Sequence, residues 1–97
     1  MLFVNELEVG EMYETMKNRT NHINLRNEPH SPNDGYLLDV AGVLQPEEWF
    51  IVLDCQQIHR TYYCLKILTS RGSIGWSGEL HVNSNYETIM FNRVTEK

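Results

Sequence analysis

Two cysteines and four histidines are the side chains of this 97-residue chain with the most chemistry to offer: Cys55, Cys64, His22, His30, His59 and His81. A cysteine nucleophile needs a base within hydrogen-bond reach and donors for the developing oxyanion, often at a helix N-terminus. Cys64 falls within a strand-like run and no helix is indicated, so no catalytic residue and no enzyme is expected. Structural zinc takes about four ligands. Cys55, His59 and Cys64 offer three, without a CxxC or HxxxH spacing, so neither a metal nor a cofactor is expected. Gly72, Gly75 and Gly78 are spaced for turns, not as a phosphate-cradling GxGxxG ahead of a helix. If the chain turns through Gln56 to Arg60, Cys64 lies opposite Val52 and out of disulfide reach of Cys55. Two cysteines with no signal peptide then predict reduced thiols.

Recognition chemistry is better supplied. The aromatic side chains Tyr13, Tyr36, Trp49, Tyr62, Tyr63 and Trp76 are either core fillers or the lining of a groove. On a small β scaffold such a groove suits an extended peptide, whose stiff backbone loses little entropy on binding. Trp76, Trp49, Tyr36 and Tyr62 are the expected binding residues. Glu28, Asp34, Asp39, Glu47 and Glu48 flank the longest loop. Asp34 and Asp39 are the candidates for steering a basic protein partner, although exposed loops also carry charge simply to stay solvated.

The totals narrow the field. The chain carries a net charge of −5, with eight Lys and Arg against thirteen Asp and Glu. An average field of that sign repels nucleic acid and anionic membranes. A hydrophobic fraction of 41% places the chain among ordinary globular proteins. The opening MLFVNELEVG has no basic region followed by a long apolar one, and no run approaches the ~20 apolar residues of a membrane span. A cytoplasmic location is expected, with a virion or a released form as the alternative.

The elements that must position these residues are short strands. His22 to Arg26 alternates, with Ile23 and Leu25 on one face. A long loop over residues 27–41 follows, rich in Pro, Asn, Asp and Gly. Trp49 to Asp54 is a nearly unbroken apolar strand of the kind found in the middle of a barrel. Cys55 to Arg60 reads as a polar hairpin loop, and Thr61 to Thr69 as the returning strand. Ser70-Arg71-Gly72-Ser73 is a turn with Gly72 suited to positive φ, and Ile74 to Ser77 a further strand. Residues 1–16 and 86–94 predict flanking strands around a core over 23–82. Short strands with turns every 8–12 residues predict a single all-β domain.

Three pieces in order resemble the bacterial SH3-like (SH3b) family. They are Ile23-Asn24-Leu25-Arg26-Asn27-Glu28-Pro29; Gly42-Val43-Leu44 with Trp49 to Leu53; and Leu65-Lys66-Ile67 with Ser70-Arg71-Gly72-Ser73-Ile74-Gly75-Trp76. The likeness covers Ile23 to Val82, about three fifths of the chain. Glu28 and Glu47 stand where the family usually has Gly, and Cys64 where it often has Trp. The resemblance implies a small SH3-like antiparallel barrel with extra terminal strands. It also implies a non-catalytic recognition module: an adaptor, inhibitor or assembly subunit of bacterial or phage origin that binds a protein partner through the 27–41 loop and the adjacent aromatics. Separately, edge strands formed by the two unmatched ends would allow copies to pair, as a homodimer or a ring. Cell-wall peptide or glycan binding is the alternative, and a transcription or nucleic-acid-associated SH3-like factor a further one.

Overall fold

The computed structural model describes residues 2, 4–15, 22–30, 37–46, 48–59, 62–78 and 91–94. Among the described residues there are seven strands: β1 (Met12–Thr15), β2 (Ile23–Arg26), β3 (Val40–Leu44), β4 (Trp49–His59), β5 (Tyr62–Thr69), β6 (Ile74–Ser77) and β7 (Phe91–Arg93). A 3-10 turn covers Val4–Glu6. All pairings are antiparallel, in one sheet of order β3-β2-β6-β5-β4-β1-β7. The chain is therefore all-β. Among the described residues β3 and β7 stand at the two edges, and no pairing between them closes the sheet.

Alternation decides which face is buried. Ile23 and Leu25 on β2, Phe50 and Val52 on β4, Leu65 and Ile67 on β5, with Tyr13, Leu44 and Phe91, point to one side and are buried. Val4 and Leu7 close over the same cluster. Each of the larger apolar side chains contributes roughly 1.5–3 kcal/mol by leaving water. Phe50 is central to one end: its ring lies 6.3 Å from that of Tyr13 and meets Phe91 edge-on at 5.9 Å. The two ends of the chain are joined there as well. Leu2 and Phe91 exchange backbone hydrogen bonds, and Arg93 reaches Glu8 at 2.9 Å while lying over the Tyr13 ring. The terminal segments predicted as flanking strands thus contribute β1 and β7, whereas Leu7 and Val9 lie outside any strand. Residues 86–90 lie outside the described set.

The β4–β5 hairpin corrects two expectations. Residues 55–59, expected in a loop, are strand, and β5 begins at Tyr62; residues 60 and 61 lie outside the described set. Polar residues suit a strand here because Asp54 to Gln57 run past the end of the core, exposed to water. Cys64 accordingly pairs with Gln56, not Val52, and Val52 pairs with Ile67. Leu53 is an extra residue between the Val52–Ile67 and Asp54–Lys66 pairs, a β-bulge that no local residue type announces. The long loop is shorter at its far end than expected, since Val40 and Ala41 already belong to β3.

Two tight points fix the rest. The turn through Gly72 has φ of 87°, as its sequence predicts. At Gly75 a Cβ would lie 2.7 Å from the Leu25 Cβ and 3.0 Å from the Arg26 carbonyl oxygen, so the β2–β6 crossing requires glycine. A carboxylate ties two turns together. Glu48, nearly buried, accepts from the Gln45 N–H at 2.8 Å, the Ser70 hydroxyl at 2.5 Å and the Arg71 N–H at 3.2 Å.

Candidate functional site

The face of the sheet turned away from the core carries an unusual row. Register places Ile74 beside Leu68, Leu68 beside Ile51, and Ile51 beside Met12, one residue from each of β6, β5, β4 and β1. Antiparallel pairs share a face, so these four side chains run side by side at strand spacings of about 4.8 Å. Ile74 is 50% exposed, and the other three are half-buried. Trp76 follows Ile74 on the same face of β6, and Trp49 precedes Ile51 on the same face of β4. The two tryptophans therefore flank the row on diagonally opposite sides. Trp49 is exposed and Trp76 half-buried. The apolar run Trp49 to Asp54 is consequently not buried on both faces, because its odd-numbered members look outward.

Charge is divided along the same face. The row through Trp76 reads Val40, Arg26, Trp76, Lys66, Asp54 from β3 to β4. Glu14 lies beside Trp49. Cations thus border the β2–β6–β5 side and carboxylates the β4–β1 side. No ion pair joins Lys66 to Asp54 among the described residues; Asp54 instead accepts from the Cys55 N–H. Arg26 donates to the Leu38 carbonyl at 3.0 Å, which holds the end of the long loop against this face. Its Nε is buried with no partner among the described residues.

A second anchor holds the start of that loop. His30 is buried, with Nε2 accepting from the Gly78 N–H at 3.2 Å and Nδ1 facing the Glu28 carbonyl at 3.0 Å. The accepted bond places the ring proton on Nδ1. Tyr62, also buried, donates its hydroxyl to the Gly78 carbonyl. Beside them Cys64 is sealed from water, and burial pushes its thiol up to about 11; the nearby Cys55 adds to the rise and a backbone hydrogen bond from His30 opposes it. Cys55 is exposed, and burial together with the Asp54 charge raises its thiol as well. Both cysteines are free. Both ring nitrogens of His30 are thus engaged, and it is the His30 backbone that meets the Cys64 thiol.

The residues expected to bind are thus dispersed. Trp76 and Trp49 share the outer face. Asp39 is exposed at the loop's end, two strands from Trp76. Tyr62 is only 5% exposed. Tyr36 and Asp34 lie outside the described residues, as do Glu47 and His81. Among the described residues no three His, Cys, Asp or Glu side chains converge as metal ligands. No helix among them is long and apolar enough to cross a membrane. Sequence reading missed Ile74, Leu68, Ile51 and Met12 as one surface. Alternation within each strand was visible, but their alignment depends on pairings between residues far apart in the chain.

The fold defines an antiparallel all-β protein with an apolar, charge-divided outer face. Compared with protein-family models, curated proteins and solved structures, the chain matches none of them.

Proposed function

We propose that the chain is a non-catalytic protein-recognition module, an assembly subunit or adaptor, that works through the outer face of its sheet. The observation that carries this reading is the Ile74–Leu68–Ile51–Met12 row with a tryptophan at either side. Apolar side chains aligned across four strands and left in water favour burial against a partner, and aromatic residues are the commonest anchors of such contacts. The long loop, tied down by Arg26 and His30, borders the surface with exposed Leu37 and Val40. The occupied His30 ring and the protonated Cys64 support the absence of cysteine chemistry. An SH3-like arrangement is the finer reading of the scaffold, supported by the three family-like pieces falling on β2, on β3–β4 and on β5–β6. Two free thiols, one of them exposed, support a reducing compartment such as the cytoplasm.

The test compares three forms as immobilised bait in cell lysate: the wild type, Ile74→Asp on the face, and Glu11→Gln in the turn before β1. Wild type and Glu11→Gln should retain the same polypeptide in stoichiometric amount, whether another protein or the chain itself. Ile74→Asp should retain at least tenfold less of it. Equal retention by all three, or none by the wild type, overturns the reading.

A further inference from the structure

We infer that the outer face is self-complementary and that its partner is a second copy of this chain. The inference rests on the reading of that face as a recognition surface and names what it recognises. The reason is the way charge and apolar side chains are distributed about the face's centre. A two-fold axis laid along the strands, between β4 and β5, superposes β5 of one copy on β4 of the other and β6 on β1. Along-strand position is unchanged by that rotation, so residues of one cross-strand row meet the same row of the other copy. Leu68 then faces Ile51 and Ile74 faces Met12, twice each. In the neighbouring row, Lys66 faces Asp54, again twice. On the other side, the Ser70–Gly72 turn with Arg71 comes over the Trp49–Glu14 row, bringing a further cation toward a carboxylate.

Each of these matches is between unlike charges or between apolar groups, and each follows from register alone. An isologous contact demands this property, because every residue that meets its counterpart does so in both directions. Two sheets stacked this way lie about 10 Å apart with strands roughly aligned, the geometry of a β-sandwich. Lys66 and Asp54, directly opposite on neighbouring strands, form no ion pair with each other among the described residues. Across the contact each finds a partner of opposite sign. The overall charge of −5 opposes association of two copies, and the local sorting of charge is what overcomes it. An axis laid across the strands through the apolar row would instead bring Lys66 toward the other copy's Ser70–Gly72 turn with Arg71, and Asp54 toward its Trp49–Glu14 row, and those meetings of like charge disfavour it.

Sedimentation equilibrium on the purified chain tests this. The wild type should show a concentration-dependent shift from 11.4 kDa toward twice that mass. Lys66→Glu and Asp54→Lys should each raise the dimer dissociation constant at least tenfold. Mixed in equal amounts, these two variants should recover a dimer of at least wild-type affinity. In the mixed pair the carboxylate introduced at position 66 meets the amine introduced at position 54, and the unaltered Asp54 and Lys66 meet each other. An effect confined to one chain cannot be rescued by mixing. Ile74→Ser, at a half-exposed position, should weaken the dimer while leaving the unfolding transition of the dilute monomer unchanged. A wild type that stays at 11.4 kDa at every concentration overturns the inference, and so does a dimer whose mixed variants show no rescue. If the chain is monomeric yet another lysate protein is lost on Ile74→Asp, the recognition reading stands and the self-association does not.

Discussion

At the scale of single residues, the most consequential polar group is Glu48. Burial alone would raise its carboxyl, but the bonds from Ser70, Gln45 and Arg71 and the Arg71 charge outweigh that and hold it below its ordinary value of 4.5. A carboxylate with a depressed folded-state value stabilises the fold fully above the unfolded value, and that contribution is lost as the pH falls through the folded one. Glu48→Gln should lower stability at pH 7 by about 1–3 kcal/mol, read from the urea midpoint. The gap between variant and wild type should narrow below about pH 4.5. The thiols should differ sharply as well. In the native protein Ellman's reagent should titrate the exposed Cys55 alone, and Cys64 only after denaturation. Glu48 was legible in the sequence only as one of five loop acids, because its partners across the sheet lie 22 and 23 positions away.

At the scale of elements, short-range signals suffice for some pieces and fail for others. Ile23 to Arg26 shows its alternation in four residues, and Ser70-Arg71-Gly72-Ser73 announces its turn by composition. The strands on either side of that turn follow from their β-branched and aromatic content. The projecting end of the hairpin was not legible. Asp-Cys-Gln-Gln has no buried face to impose alternation, so a projecting strand and a loop look alike. Nor was the β2–β6 pairing of Arg26 with Trp76, which joins segments distant in the chain and needs Gly75 at the crossing. Gly75→Ala should test that contact. A methyl group there meets the Leu25 Cβ and a backbone oxygen, neither the free end of a flexible chain, and the expected cost is about 1–3 kcal/mol. The measurement is again the denaturant midpoint, and a neutral result would mean that the two strands separate more easily than their spacing implies.

For the whole molecule, the core among the described residues comes from one face of a single sheet together with Val4 and Leu7. Phe50 touches the rings of both terminal strands through Tyr13 and Phe91. Phe50→Ala should cost roughly 3–5 kcal/mol, a large part of the ~5–15 kcal/mol that keeps an ordinary domain folded. The variant should melt far below the wild type in a thermal scan by circular dichroism. The candidate site sits on the opposite face, so its side chains can be exchanged with little effect on that core. The proposed recognition surface and the buried core thereby use alternate residues of the same strands. A composition count cannot see that division, although the period-two pattern carries it.

The extra residue at Leu53 gives the gene an unusual freedom. Pairing is regular on both sides of it, with Val52 opposite Ile67 and Asp54 opposite Lys66. Loss of that one codon would join Val52 directly to Asp54 and leave every other partner as it was. Loss of codon 50 could be absorbed at the same place, but only by drawing Ile51 into the buried position of Phe50 and turning Val52 outward. In a collection of single-codon deletions over residues 49–53, soluble yield should therefore be highest at position 53. Equal loss at 50 and 53 would mean that the irregularity itself, with the twist it adds, is what the fold has kept.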